Sequence, residues 1–182
     1  NDAFGTRVPA TGGTAIPFGN SPVAFSQAVT GLTTGTTYYV CAIAQNSVGL
    51  NYGSVLTITT PGAPTATTVL ASAITSSGAT LNGTGNPNRA DATGWVRYST
   101  TDPGTCDDTF GTRAPATGGS ALGNGTSAAS YSQVVTGLAA GTTYYFCAIV
   151  ENIVGKAFGT VQSFTTLNAP TMVTQPATSV TA

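Results

Sequence analysis

The sequence predicts an all-β chain built of two-layer antiparallel β-sandwiches, on three observations. First, no segment sustains a helical period, while short alternating runs bounded by Gly, Asn and Pro recur along all 182 residues. Second, the chain overlays itself without a gap at a shift of 106 residues: of the 76 pairs formed by 1–76 against 107–182, 40 are identical. Third, the run "GTTYYVCAIAQN" at 35–46 returns as "GTTYYFCAIVEN" at 141–152, and both alternate with period two. An ungapped match at this level signals tandem copies of one structural unit. A unit of 106 residues has the size of a small sandwich domain.

The joint between copies is "TTPGAPT" at 59–65, echoed by "TTLNAPT" at 165–171. Proline and glycine after a Thr-rich strand make a short, stiff connection. The expected organisation is therefore 1–62 as the C-terminal part of one copy, 63–167 as a complete copy, and 168–182 as the first strand of a following copy. Read this way, the chain is an excerpt from a longer array, and residues 1–60 lack the first three strands of their domain. Neighbouring copies then complete one another, within one long polypeptide or by strand donation between short chains. In the complete copy strands are expected at 65–72, 78–84, 94–100, 130–137, 142–152 and 159–166, with a weaker one at 111–117. Seven short strands joined by turns argue for an antiparallel sandwich.

Alternation orients the repeated strand. One parity is Tyr144, Phe146, Ala148 and Val150, matched by Tyr38, Val40, Ala42 and Ala44; the other is Tyr145, Cys147, Ile149 and Glu151, matched by Tyr39, Cys41, Ile43 and Gln45. Glu151 and Gln45 would be costly in a core, so the second parity, with its cysteine, faces out. A core disulfide of the immunoglobulin kind is thereby excluded, and "GATLNGT" at 78–84 supplies no cysteine for one.

The pattern Leu138, Gly141, Thr142, Tyr144, followed by Asn152 and Gly155, resembles the fifth strand's end, the tyrosine corner and the sixth strand of fibronectin type III domains. "ATLNGTGNPNRADATGWVRYST" at 79–100 further resembles a bacterial version of that domain found in large secreted and surface proteins, with the small residue Gly83 in place of the usual core tryptophan. The resemblance covers nearly the whole chain. It implies a fibronectin type III-like (immunoglobulin-like) fold, with Tyr38 and Tyr144 as corner tyrosines bonding backbone near the preceding turn. In that fold the third and sixth strands are neighbours, which makes a Cys106–Cys147 bridge geometrically feasible. Cys41 corresponds to Cys147, and its partner would fall one residue before Asn1. A disulfide in each domain implies an oxidising, extracellular setting. Trp95 is expected on the outer face with Arg97, on the sheet that carries Tyr145 and Cys147. Trp95 and Tyr145 are then either a carbohydrate platform or a cover over the cysteine.

Composition excludes several functions. Only 6% of residues are charged, the net charge is −1 and histidine is absent, so no row of phosphates is neutralised and no nucleic acid is expected as partner. No apolar run reaches the roughly 18 to 20 residues of a spanning helix, and membrane insertion is not expected. A catalytic thiol lacks a histidine or cationic cluster to activate it, and zinc lacks ligands. Asp102, Asp107 and Asp108 surround Cys106 without the order of a calcium loop, and read as a solvated loop. Arg7 and Arg113 follow "FGT" in both copies and are expected to pair with Asp2 and Asp108. "RAD" at 89–91 lacks the glycine of an integrin motif. "N-G-T" occurs at Asn82 and Asn124, as sequon or turn.

The functional expectation is a non-enzymatic structural segment of an extracellular, bacterial surface protein or filament, with no cofactor or metal. Its partners are neighbouring copies of itself. The alternative is an adhesin or module binding cell-surface glycan through loops or the Trp95 face, and a third reading is an accessory domain of a secreted enzyme.

Overall fold

A computed structural model describes residues 3–19, 21–175 and 178. Every regular element among them is a β-strand, and every strand pairing is antiparallel. The chain divides into two compact units, Asn1–Pro61 and Gly62–Ala182.

In the first unit β1 (Thr37–Val40) pairs with β4 (Leu56–Thr59), and β2 (Ile43–Gln45) with β3 (Leu50–Tyr52). Leu56 and Ile58 are exposed there, because no facing sheet forms among the described residues of that unit.

The second unit is a complete sandwich. Its smaller sheet has the order β10 (Ala129–Thr136), β6 (Gly78–Asn86), β5 (Thr65–Ser72). The larger sheet centres on β7 (Ala92–Ser99) and β11 (Thr143–Asn152). One of its edges is β8 (Thr112–Ala114) and β9 (Ser120–Gly123); the other is β12 (Gly155–Phe158) and β13 (Gln162–Thr165). This is an antiparallel β-sandwich of fibronectin type III-like arrangement.

Two expected strands shorten, and each gains a neighbour that the sequence reading did not mark. The run expected at 111–117 shortens to β8, and the unexpected β9 follows it; the two meet different parts of β7. The run at 159–166 shortens to β13, with β12 standing before it. The break has a cause in β5: Thr68 Oγ1 accepts from the Ala148 N–H at 3.0 Å, so that N–H is withdrawn from the neighbouring edge strand. Gly159 N–H donates to Ala148 O at 2.8 Å. A Cβ on Gly159 would stand 2.6 Å from the Thr68 nitrogen, so the crossing requires glycine.

The core between the sheets takes the parity of Tyr144, Phe146, Ala148 and Val150, with Leu81, Val96, Tyr131, Val135 and Phe164. The tyrosine ring of residue 131 fills the space that glycines leave on two strands. A Cβ on Gly83 would lie 2.8 Å from both Ala148 Cβ and Tyr131 Cζ, and one on Gly94 would lie 2.8 Å from the same ring.

The opposite parity of β11 points out of the sandwich, yet Cys147 and Ile149 are fully buried. They form a second apolar cluster with Trp95, against which Cys106 and Phe110 pack. The cover is the irregular segment between β7 and β8.

Candidate functional site

That covered outer face gathers most of the chemically capable side chains of the second unit. β7 and β11 are adjacent, with Ile149 opposite Trp95 and Cys147 opposite Arg97. Cys106 and Cys147 are joined by a disulfide whose Cα atoms stand 6.0 Å apart, so the segment after β7 is stapled over the strand pair. Cys41 is free and half-buried.

Asp108 is the polar centre. Its Oδ1 accepts from Trp95 Nε1 at 2.9 Å and Arg97 Nε at 3.0 Å, and its Oδ2 from Lys156 Nζ at 2.7 Å. Burial acts to raise its pKa, but the hydrogen bonds from Lys156, Arg97 and Trp95 outweigh it and hold the carboxyl at about 2. Lys156 is raised in turn, first by its hydrogen bond to Asp108. Glu151 approaches Lys156 at 3.8 Å. Arg97 also donates to the carbonyl of Phe110 at 2.9 Å. Above the indole, Arg113 Cζ lies 4.5 Å from the ring centroid and Lys156 Nζ 5.4 Å, both within cation–π range.

Trp95 is therefore only 3% exposed. This corrects the carbohydrate-platform reading: a sugar needs an open ring face, and cations and the stapled segment already occupy the indole. Trp95 instead covers the cysteine. Tyr145, opposite Ser99, is half-buried and does not join a strip with it.

The expected Arg113–Asp108 pairing is also corrected. Arg113 donates to the carbonyls of Pro115, at 2.6 Å, and Gly118, while Arg97 and Lys156 take Asp108. Arg7 repeats this, donating to the carbonyls of Ala10 at 3.2 Å and Gly12 at 2.5 Å. Asp2 lies outside the described residues. The aspartates offer little to a cation. Asp107 Oδ1 accepts from Thr109 N, Thr109 Oγ1 and Phe110 N at 2.7, 2.8 and 3.0 Å, and its pKa is lowered, first by the Thr109 backbone bond. Asp102 accepts from Gly104 N at 2.8 Å. Among the described residues no cluster of three or more metal-ligating side chains forms. A shallow depression of about 390 Å³ on the smaller sheet, lined by Asn82, Thr84, Ser130 and Ser132, holds no charged group.

Two features, one buried and one at the surface, escape a reading of the sequence. Tyr131 sends its hydroxyl to the carbonyls of Ile149 at 3.0 Å and Trp95 at 3.2 Å, and burial raises its pKa. Glycines at 83 and 94 were the signal for it. Lys156 joining Asp108 had no signal, since 48 residues separate them.

The corner tyrosines bond as follows. Tyr144 Oη accepts from Ala139 N at 3.0 Å, and Tyr38 Oη from Thr33 N at 2.8 Å. Both pairs lie five residues apart and are offset by 106. The same offset links Thr142 N to Thr166 Oγ1 with Thr36 N to Thr60 Oγ1, at 2.9 and 3.0 Å. It links Thr143↔Thr165 with Thr37↔Thr59, and Ile149↔Phe158 with Ile43↔Tyr52.

A scan against protein-family models finds no match, and a search of curated proteins finds none either. Among solved structures the chain is similar to the sensor domain of the anti-sigma factor RsgI4 of Pseudobacteroides cellulosolvens, at 20% identity and TM-score 0.40, covering 63% of this chain and 99% of that one. It is also similar to the FN1–FN3 domains of chicken CNTN1, at 18% identity and TM-score 0.42, covering 76% of this chain and 45% of that one.

Proposed function

We propose that this chain is a non-enzymatic structural segment of an extracellular, bacterial surface protein or filament, in which 106-residue sandwich copies act as semi-rigid spacers. The observation that carries this reading is the repetition of strand register and hydrogen bonding, at the 106-residue offset, between 33–60 and 139–166. A spacer gains length from each repetition, whereas a binding site seldom needs copies in series. The copies divide at 1–62, 63–167 and 168–182, across proline-containing joints.

Within the second unit the entering segment is held firmly. Asn152 Nδ2 donates to the carbonyls of Gly62 and Pro87, both at 2.9 Å, and Gly62 N–H donates to Asn88 O at 2.9 Å. The disulfide supports an oxidising, extracellular location. The hydrogen-bonded aspartates, the covered indole and the lack of histidine argue against catalysis and against cofactor use. They argue equally against glycan binding through Trp95.

The test is a glycan array with tandem copies, beside the same array with Trp95→Ala. No binding is expected from either. Tight binding that Trp95→Ala abolishes would replace the spacer with an adhesin module.

A further inference from the structure

The loop between β9 and β10 carries Asn124-Gly125-Thr126, and the fold holds it by its backbone. Asn86 Nδ2 donates to Thr126 O at 2.8 Å, and Arg89 N–H donates to Gly125 O at 3.1 Å. Residues 123–128 are all exposed. Neither the Asn124 amide nor the Thr126 hydroxyl has a hydrogen-bond partner among the described residues. Gly123, with φ +71°, turns the chain into the loop. The position equivalent to Asn124 in the first unit is Phe18, whose side chain is fully exposed. The loop tip thus accepts a bulky substituent without meeting protein in either unit.

Asn82-Gly83-Thr84 is the internal contrast. It lies in mid-β6, paired with β5 on one side and β10 on the other. The Asn82 amide donates to Leu70 O at 2.8 Å and Ser72 Oγ at 3.0 Å, across the irregular register between Val69 and Ser72. Its nitrogen is committed, and its backbone cannot leave the extended form without unpairing the sheet centre.

We propose that Asn124 is an acceptor for N-linked glycosylation on the folded protein and that Asn82 is not, the donor being an oligosaccharide carried on a lipid pyrophosphate. Asn124 Nδ2 forms a bond to the anomeric carbon of the first sugar. The bond from that carbon to the pyrophosphate oxygen breaks, and the amide proton leaves with the lipid pyrophosphate. The reaction needs a threonine hydroxyl two residues on and a sequon free to bend into an enzyme. Both sequons supply the hydroxyl, from Thr126 and Thr84; only the exposed loop, held at Gly125 and Thr126 by two hydrogen bonds, can bend without unpairing a sheet. This assignment is independent of the spacer reading.

The test incubates the folded chain with a defined lipid-linked oligosaccharide and an oligosaccharyltransferase that accepts Asn-x-Thr without further sequence requirement. Intact mass and peptide mapping should give one oligosaccharide per chain, located on Asn124. Asn124→Gln and Thr126→Ala should each abolish the addition, and Asn82→Gln should leave it unchanged. Modification at Asn82, or no addition to the folded chain under conditions that modify the isolated 120–130 peptide, would overturn the assignment.

Discussion

Asp108 shows how one residue can hold a loop, a strand pair and an edge strand together. Its folded pKa, at about 2, lies below the ordinary value of 3.8. The stabilisation is thus present above the unfolded value and lost as pH falls through the folded one. We expect the denaturant midpoint to fall between pH 5 and pH 2, and the fall to shrink in Asp108→Asn, measured by urea titration at each pH. At neutral pH Asp108→Asn should cost about 1–2 kcal/mol, since it removes charge-assisted bonds to Arg97 and Lys156. An unchanged pH profile in the variant would contradict this role. Gly83 gives a steric counterpart. A methyl there meets Ala148 Cβ and Tyr131 Cζ at 2.8 Å, and overpacking of this kind costs about 1–3 kcal/mol. Gly83→Ala should therefore destabilise measurably by thermal melting, and a neutral result would mean the ring of Tyr131 moves freely.

At the scale of elements, the disulfide makes the irregular segment after β7 part of the fold. It closes a 41-residue separation, worth about 4 kcal/mol at most in the chain-entropy model. Trp95 is the single tryptophan and sits beneath the staple, so its fluorescence reports the cover directly. We expect Cys106→Ser with Cys147→Ser to lose about 2–4 kcal/mol and to shift the emission to the red. An unshifted spectrum would show that the segment stays in place without the bond. The sandwich and the inward face of β11 were legible in the sequence because side chains alternate with period two. The burial of the outward face was not, because its cover is a loop, whose path follows from Asp108, Cys106 and Phe110 and from no periodicity. Glu151 did mark that face as outward, and it is exposed; two positions earlier, Ile149 lies beneath the loop. The shortening of the last strand was equally hidden, since it depends on Thr68 reaching Ala148 across 80 residues.

For the whole molecule, the offset of 106 residues ties sequence to geometry in both units, from Tyr38 and Tyr144 to Asn46 and Asn152. Asn46 Oδ1 accepts from Val48 N and Gly49 N, as Asn152 Oδ1 does from Val154 N and Gly155 N. The same turn closes the same strand pair in each. If repetition serves length, then the joints must transmit direction from copy to copy. Small-angle X-ray scattering on proteins of two, three and four consecutive copies measures this most directly. The spacer account predicts a maximum dimension that rises by a constant increment with each added copy. A maximum dimension that grows only as the cube root of mass, as in a compact particle, would contradict it.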